Sequence, residues 1–411
     1  MLIILNILSI LLFIYGMYYV ITSITAFINI RKNIIDNYEI KNKFKILVAC
    51  RNEELVIPQL IESINLQNYP KDMYELCIIP NNCVDNTKDI SASLGARIID
   101  YPMNCKCKAE ALRYAFDVLD KEEFDAYIIF DADNVVHPDF LKRMNDALQE
   151  GFKVAQGYRD SKNAKDNWIS GSYSIYYWMQ NFFFNKSRMN IGGSASINGT
   201  GFMIKKEVIQ TNGFNTMTLT EDIEFTAQCA INNIRIAFVE DAITYDEQPV
   251  SWKASWKQRK RWSIGTHNCL KIYGIKLIKS FVKNKNILSL DMTLNFLAPF
   301  MQVFGTLIML IIICLKLFVN VETGAITLLG LVKLTGIKFF IITYIINVLL
   351  NIFLVKYNKR KINSVISGII MYSFFITSWM PINVISIFSK ENKWEQIQHT
   401  KSIGIEDIVK N

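Results

Sequence analysis

The 411-residue sequence contains few of the residues that build structural metal sites. It has three histidines, His137, His267 and His399, and eight cysteines. Cys105 and Cys107 are closely spaced, but no second pair or histidine cluster accompanies them to complete a tetrahedral zinc site. A structural zinc is therefore not expected, and the cysteines are predicted to be reduced, partly buried thiols of a cytosolic domain.

The sequence also lacks internal repeats, low-complexity tracts and, over residues 2–28, any charged residue. This uncharged run exceeds the apolar core of about 7–15 residues in a signal peptide, and no small-residue cleavage site follows it. It is predicted to be a retained helix that crosses the bilayer with tilt. Because Arg31 and Lys32 follow it, the positive-inside rule places residue 31 onward in the cytosol.

The composition indicates a membrane part. Hydrophobic residues make up 51% of the chain and the mean hydropathy is +0.19, which is high for a soluble enzyme. The net charge of +8 could indicate nucleic acid. However, the basic residues cluster at the ends of apolar runs, where cytoplasmic loops meet acidic lipid headgroups. The expected partner is therefore a lipid bilayer and not nucleic acid.

Between the apolar regions, residues 44–245 alternate short apolar segments with helical patterns. Strands are predicted at 44–49, 76–80, 97–100 and 126–130, and helices at 55–66, 87–94 and 108–119. This alternation favours an α/β domain with a mostly parallel sheet and helices on both faces. In such domains ligands bind beyond the carboxyl ends of the strands.

Further apolar stretches lie at about 290–318, 324–355 and 362–388. Pro299 and Pro381 are predicted to interrupt the first and the third. Lys333 and Lys338 either lie within the second stretch, where charges usually face protein or water, or flank a shorter span that begins near Phe339. Both readings stay open.

Two acids follow the strand predicted at 126–130. Asp131 and Asp133 are separated by one alanine. Carboxylates at a strand end make an oxygen-rich site for Mg²⁺ or Mn²⁺, which also take phosphate oxygens as ligands. Such a cation would neutralise the charge that develops on a leaving nucleoside diphosphate. The alternative is a simple acidic turn, since such pairs are common.

Thr220, Glu221 and Asp222 offer a general base. A hydroxyl that attacks an anomeric carbon must lose its proton, and a carboxylate within hydrogen-bond reach can accept it. The same residues also fit the start of a helix, with Thr220 as the N-cap and acids in the first turn. The two interpretations are compatible, because a cap would fix the position of the acid.

Residues 252–273 mix tryptophans with lysines and arginines, which is typical of an amphipathic helix at the headgroup level. Within them, Gln258-Arg259-Lys260-Arg261-Trp262 is the most specific motif. Arginine binds phosphate oxygens bidentately, and tryptophan gives a flat apolar face on which a sugar ring can stack. A basic interfacial helix with an aromatic anchor is the alternative.

Taken in order, these motifs and the flanking apolar segments resemble the processive, membrane-embedded family 2 glycosyltransferases. This group includes cellulose, mixed-linkage β-glucan, hyaluronan, chitin and poly-N-acetylglucosamine synthases. The resemblance covers residues from about 44 to 273 by motif. It implies a cytosolic GT-A domain, with a Rossmann-like sheet, embedded between transmembrane and interfacial helices. It also implies a UDP-sugar donor, a growing polysaccharide acceptor and Mg²⁺ or Mn²⁺ as cofactor.

The resemblance further implies roles for individual residues. Asp222, with Glu221 and Thr220, would supply the catalytic base, and Asp131 and Asp133 would bind the metal. Substrate would be bound by Ala49, Arg51, Glu53, Asn81, Asp85, Lys108, Asp131, Gly199, Thr200, Gln258, Arg261, Trp262, Trp394 and His399. The family often has an acid where this chain has Asn81, although an amide oxygen can still accept a hydrogen bond from the uracil N–H.

Trp394 and His399 lie in a polar tail that resembles the short tail covering the nucleotide site in several of these synthases. The tail is extracellular if all three apolar stretches after residue 290 cross the membrane. It is cytosolic if Pro381 turns the third into an interfacial or re-entrant segment. The cytosolic placement is favoured, because a loop that covers the nucleotide must lie on the nucleotide's side.

The expected domains are a transmembrane helix at 1–30, a GT-A domain at 31–245, interfacial helices at 246–285, transmembrane or interfacial helices at 286–390 and a cytosolic tail at 391–411. The chain ends some 20 residues after its last apolar stretch, which leaves no room for a cyclic-dinucleotide sensor. Regulatory or export functions would therefore belong to accessory subunits.

The expected function is inverting, processive polymerisation of glucose from UDP-glucose into a 1,4- or mixed 1,3;1,4-linked β-glucan, with export across the plasma membrane. Alternatives are a poly-N-acetylglucosamine or hyaluronan-type synthase, and a non-processive transferase acting on a lipid or short acceptor. A catalytically idle export or scaffold subunit is a further alternative, although all the acids of the motifs are present.

Overall fold

The computed structural model describes residues 2–28, 38–102, 105, 107–322, 337–389, 399 and 401–409. At its centre is an eight-stranded sheet with the strand order β3-β2-β1-β4-β7-β6-β8-β5. The strands are β1 Phe44–Cys50, β2 Tyr74–Pro80, β3 Arg97–Ile98, β4 Ala126–Asp131, β5 Val135–Val136, β6 Val154–Ser161, β7 Phe202–Lys205 and β8 Ile236–Asp246.

The sheet is mostly parallel, as predicted. β2 and β4 pair in parallel with β1, β3 with β2, and β6 with β8. β7 is antiparallel to both β4 and β6, and β5 is antiparallel to β8. Cys50 pairs with Pro80, and Ala49 pairs with Asp131, so the carboxyl ends of β1, β2 and β4 meet at one edge.

Helices pack around the sheet and continue into the apolar segments. They are α1 Leu2–Ile24, α2 Ile57–Asn65, α3 Thr87–Ser93, α4 Lys108–Leu119, α5 Phe140–Gln149, α6 Trp168–Met179, α7 Ser187–Asn190, α8 Lys206–Asn212, α9 Glu221–Ile231, α10 Trp252–Asn284, α11 Ile287–Glu322, α12 Ile337–Tyr357, α13 Ile366–Thr377, α14 Trp379–Phe388 and α15 Ile405–Val409. A π-helical segment, Gln180–Lys186, joins α6 to α7.

The strands and helices predicted for residues 44–130 are all present, with ends within two residues of the predicted bounds. α4 has the predicted bounds because its apolar positions follow helical spacing. Leu112, Ala115, Phe116 and Leu119 are buried on one face. The strand predicted at 97–100 is shorter, Arg97–Ile98.

Within the described residues, four helical segments are long and apolar enough to cross a membrane: Ile7–Phe27, Ile287–Ile311, Phe340–Tyr357 and Ile366–Phe388. Lys338 lies just before the third of these segments, at the start of α12, and the choice between the two readings of this stretch stays a prediction. Lys333 is outside the described residues.

The prediction that Pro299 interrupts its stretch is wrong, because α11 continues through it. Proline removes one helical hydrogen bond, and a helix packed against neighbours can tolerate that loss. The break in the last stretch lies at Ser378, between α13 and α14. Pro381 lies in the first turn of α14. Backbone N–H groups in the first turn have no acceptor within the helix, so the N–H that proline lacks costs no helical hydrogen bond there.

The helix predicted at 252–273 is longer than expected, since α10 runs to Asn284. Its Arg259 is fully buried. The guanidinium donates to the Phe375 carbonyl (3.0 Å) and the Ser378 hydroxyl (2.6 Å), and it lies over the Phe375 ring. Arg259 therefore joins α10 to the α13–α14 corner.

The central domain and the apolar helices are in direct contact. Gly171 of α6 and Gly368 of α13 cross so closely that a Cβ on Gly368 would lie 2.7 Å from the Gly171 carbonyl carbon. After α12, Arg360 donates to Asp160 of β6 (2.8 Å). The segment just before α13 is therefore attached to the central domain.

The described part of the tail also packs against the central domain. Ile405 and Ile408 of α15 are buried against Val135 and Tyr245. The Lys401 backbone N–H donates to a Glu247 carboxylate oxygen (2.9 Å), and its ammonium pairs with Asp166 (2.8 Å). Trp394 lies outside the described residues.

Candidate active site

A cavity of about 370 Å³ lies at the edge of the sheet where β1 and β4 end. Its wall brings together most of the predicted site residues, from segments far apart in the chain. These are Ala49, Arg51, Glu53, Asn81, Lys108, Asp131, Asp133, Gly199, Thr220, Glu221, Asp222, Gln258, Arg261, Trp262 and His399.

Asp85 and Thr200 are not part of the wall and instead shape the loops behind it. The Asp85 carboxylate accepts hydrogen bonds from the Thr87 hydroxyl (2.6 Å) and the Glu54 N–H (3.1 Å). The Thr200 hydroxyl accepts from the Asp131 N–H (3.0 Å) and donates to Asn134. The geometry thus assigns these two residues to positioning, and their predicted contact with substrate remains a prediction.

The two acids of the first motif, Asp131 and Asp133, differ in solvent exposure. Asp131 is partly open to the cavity, and Lys108 donates to its carboxylate. Asp133 is 5% exposed and accepts from the Glu247 N–H (2.9 Å). Burial alone would raise the pKa of Asp133, but the charges of His399 and Lys162 outweigh burial and hold this pKa below its ordinary value. Asp133 is therefore a carboxylate.

Lys108, the first residue of α4, links the acid pair to the predicted base. Its ammonium also donates to the Gly199 carbonyl (2.7 Å) and lies 3.8 Å from a Glu221 carboxylate oxygen. Burial would lower the pKa of Lys108, but Asp131 and Glu221 raise it above its ordinary value. The positive charge of Lys108 therefore lies between the motif that contains Asp131 and the motif that contains Glu221.

Asp222 lies in the first turn of α9 and accepts a hydrogen bond from the Ile223 N–H (2.8 Å). Its other oxygen faces Gly199, where an added Cβ would lie 3.3 Å away. Gly199 also has φ +93°, which disfavours other residues. Burial raises the pKa of the Asp222 carboxyl, and a raised pKa makes a carboxylate a better proton acceptor.

The prediction that a helix starts at this motif is correct, because α9 begins at Glu221. Thr220 immediately precedes α9, although its side chain makes no capping hydrogen bond. Its hydroxyl instead packs against α10 at Gly265, where any Cβ would overlap it. This close approach joins α9 to α10 and places the second motif beside the third.

The far end of the cavity, past β1 and β2, contains Asn81 and His399. Asn81 is 6% exposed, and its amide oxygen has no hydrogen-bond partner among the described residues. His399 of the tail bonds to Glu53 through Nδ1 (3.0 Å), and its Nε2 lies 3.9 Å from an Asp133 oxygen. The tail therefore reaches the acid pair.

The third motif contributes one face of α10 to the cavity. The Gln258 amide oxygen and the Arg261 Nε are buried and lack a hydrogen-bond partner in the described parts of the chain. Trp262 stacks with Trp379 of α14 at 6.2 Å between centroids and 22° between planes. Tyr176 also stacks with Trp379, at 6.1 Å and 26°. An aromatic surface therefore lies next to unpaired polar groups.

Sequence reasoning missed several wall residues. Arg159, at the carboxyl end of β6, donates to Asp246 (Nε, 2.9 Å) and to the Asn198 carbonyl, and lies 4.2 Å from the Tyr177 ring centroid. Assigning β6 would have located it, because ligands bind beyond strand ends. The other missed wall residues include Tyr176, Asp246, Glu247, Asn295, Phe296, Pro299 and Trp379.

The acid pair fits a divalent cation. Carboxylate oxygens are the donors that Mg²⁺ and Mn²⁺ prefer. Among the residues that the structure describes, no group of three or more His, Cys, Asp or Glu side chains has a metal-holding arrangement. Asp131 and Asp133 would therefore hold the ion together with phosphate oxygens and water, and the ion would supply charge neutralisation at the phosphates.

Comparison with known proteins identifies the class. The model of the glycosyltransferase like family 2 matches residues 42–265, and the chain belongs to this family. It is a glycosyltransferase with a GT-A-like fold. The mannosyltransferase PcManGT from Pyrobaculum calidifontis, solved with GDP-Man and Mn²⁺, has the same fold, with a TM-score of 0.50, 16% identity and coverage of 72% of this chain and 86% of that one.

Several curated proteins are similar to this chain. The "probable glycosyltransferase YdaM" of Bacillus subtilis is 27% identical over 365 residues, 84% of this chain and 82% of its own. The poly-β-1,6-N-acetyl-D-glucosamine synthase of Staphylococcus epidermidis is 25% identical over 362 residues, 84% and 83%. The β-monoglucosyldiacylglycerol synthase of Nostoc sp. is 29% identical over 230 residues, 54% and 48%, so the chain spans about half of that protein.

Proposed function

We propose that this chain is an inverting transferase that moves a sugar from a UDP-sugar to the hydroxyl of an acceptor sugar. The observation that carries the proposal is the convergence of all three motifs on one cavity. Lys108 contacts Asp131 and lies near Glu221, and Gly265 of α10 packs against Thr220.

The donor lies between the loops after β1 and β2 and the acid pair. The uracil N–H donates to the unpaired amide oxygen of Asn81. Asp131 and Asp133 hold the divalent cation. Lys108 and Arg261 balance the remaining diphosphate charge, since both are cations on the same wall.

The acceptor lies on the aromatic side, with its terminal sugar stacked on Trp262. Its hydroxyl oxygen attacks the anomeric carbon as the bond from that carbon to the UDP oxygen breaks. The free oxygen of Asp222 accepts the hydroxyl proton, and UDP leaves. Attack from the face opposite the leaving group inverts the anomeric configuration.

For the product, we propose a β-glucan made processively from UDP-glucose, with the helices at 2–28 and beyond 290 along the exit path. The resemblance to small glucan synthases supports this product. A poly-N-acetylglucosamine product is the second candidate, favoured by the staphylococcal relative that matches over 84% of the chain. Non-processive transfer to a lipid is the third, favoured by the glucosyldiacylglycerol synthase relatives.

One experiment separates these candidates. Full-length protein in lipid nanodiscs is incubated with Mn²⁺ or Mg²⁺ and each of UDP-glucose, UDP-N-acetylglucosamine and UDP-glucuronate, and the products are sized on a gel. The proposal predicts a long polymer from UDP-glucose that a linkage-specific β-glucanase digests. Short or lipid-linked products from every donor would reject processivity, and polymer from UDP-N-acetylglucosamine alone would reject the glucan.

For the location, we propose a multi-pass plasma-membrane protein with its catalytic domain and tail in the cytosol. Arg360, before α13, and His399, after α14, both contact the central domain. Because both ends of the segment 366–388 meet one domain, α13 and α14 enter and leave the membrane on the same side.

A reporter fused after residue 411 tests this topology. A C-terminal green fluorescent protein should fluoresce, and a C-terminal alkaline phosphatase should be inactive, because the phosphatase folds only outside the cytosol. A fusion after residue 322 provides the reference, since α11 would end on the outer side. An active phosphatase after residue 411 would contradict the re-entrant arrangement.

A further inference from the structure

Two cysteines that sugar transfer does not use lie together at the donor end of the cavity. Cys50 is the last residue of β1 and is 2% exposed. Cys83, in the loop after β2, is half-buried and donates its thiol to the Cys50 carbonyl (3.5 Å). Each thiol also shifts the pKa of the other, raising that of Cys50 and lowering that of Cys83.

The loops that carry these cysteines are fixed against each other. The Val84 N–H donates to the Asn52 side chain (2.8 Å), and the Glu53 N–H donates to the Thr87 hydroxyl (2.8 Å). Asn52 and Asn82 both have positive φ, 55° and 51°, a conformation that asparagine adopts more readily than most residues. The thiols are therefore held as neighbours by the backbone.

Cys83 has the surroundings of a reactive thiol. The Cys50 thiol and the backbone at Asn52 and Asn81 lower the pKa of Cys83 to about 7, although partial burial opposes them. Thiolate, the nucleophilic form, is then abundant at neutral pH. Cys107, which lines the cavity as Cys50 does, is half-buried like Cys83, but burial raises the pKa of Cys107.

We propose that Cys83 is a peroxide-sensitive modification site whose product is a Cys50–Cys83 disulfide that closes the nucleotide end of the cavity. The Cys83 thiolate attacks hydrogen peroxide, the S–O bond forms as the O–O bond breaks, and hydroxide leaves. Cys50 then attacks the Cys83 sulfenic acid, the S–O bond breaks, and water leaves with the Cys50 proton. Two thiols are oxidised to one disulfide, and one peroxide is reduced to two waters.

Closure follows from the position of Cys50. It lines the cavity together with Asn81, and its thiol now points toward the Ile79 carbonyl (3.9 Å). Turning this sulfur to bond with Cys83 changes the wall that contacts the base. This consequence depends on the proposed donor site, whereas the thiol chemistry does not.

The test uses full-length protein in nanodiscs with Cys314→Ser, which removes the exposed thiol of α11. After peroxide treatment, peptide mapping should find Cys50 linked to Cys83 while Cys107, the matched control, stays reduced. Bound UDP, measured by calorimetry, should be lost after oxidation and regained with dithiothreitol. In Cys83→Ser, the ratio of UDP binding with and without peroxide should stay near one.

Oxidation of Cys107 before Cys83 would overturn the proposed site. A Cys50–Cys83 link with unchanged UDP binding would overturn closure. If the reduced protein binds no UDP while the link still forms, the proposed donor site fails and the modification site stands. The two proposals can therefore fail separately.

Discussion

Replacing Asp222 with asparagine is expected to lower the rate of sugar transfer by about 10²–10⁴-fold while UDP binding is retained. Asparagine has nearly the same shape and can still accept the hydrogen bond from the Ile223 N–H. It cannot accept the proton of the attacking hydroxyl. UDP release measures turnover, and calorimetry with UDP measures binding, both with purified full-length protein.

The matched control is Asp117→Asn, because Asp117 is an exposed acid on α4 that does not line the cavity. It should turn over like the wild type. Equal turnover in Asp222→Asn and the wild type would refute Asp222 as the base. Glu221→Gln addresses the neighbouring candidate, since burial raises the pKa of Glu221 to about 7. A large loss confined to Glu221→Gln would assign proton removal to Glu221.

Removing divalent cations with a chelator is expected to abolish turnover, and adding Mn²⁺ or Mg²⁺ should restore it. Asp133→Asn should lower turnover by about 10²-fold or more even with saturating metal, because a charge at the diphosphate is then lost. Asp133 is nearly inaccessible and ionised, so water cannot readily replace its oxygen. A Mn²⁺ titration of UDP release measures both effects.

Asp139→Asn is the matched control for Asp133→Asn. Asp139 follows β5, lies outside the cavity wall and accepts a hydrogen bond from Asn68 (2.8 Å). Its metal dependence should equal that of the wild type. If Asp133→Asn also showed the wild-type Mn²⁺ titration, the acid pair would not be the metal site.

The first half of the sheet could be predicted because β1, β2 and β4 are apolar runs. Such runs are typical of parallel strands that are buried on both faces. β6 was missed because its fully buried residues include Gln156, Arg159 and Asp160. Each of these is paired inside the protein: Gln156 with the Thr200 carbonyl, Arg159 with Asp246, and Asp160 with Arg360 and Trp178. Sequence patterns do not show such partners, so a polar but buried strand resembles a loop.

The motif residues of the site could be predicted, whereas the rest of its wall could not. In Gln258-Arg259-Lys260-Arg261-Trp262, helical spacing puts Gln258, Arg261 and Trp262 on one face, and these three line the cavity. Arg259 faces α13 instead. Trp379 has no motif of its own, and its stacking on Trp262 is a contact between helices far apart in the sequence, α10 and α14.

In the proposed mechanism, one cavity binds the nucleotide, the metal and the acceptor. An electron cryo-microscopy structure of the full-length protein in nanodiscs with UDP and Mn²⁺ would show whether it does. We expect uracil at Asn81, the metal on Asp133, the diphosphate near Arg261, and the Asp222 carboxylate facing open space beside Trp262. UDP bound elsewhere, or Asp222 and Trp262 on opposite sides of a closed wall, would contradict it.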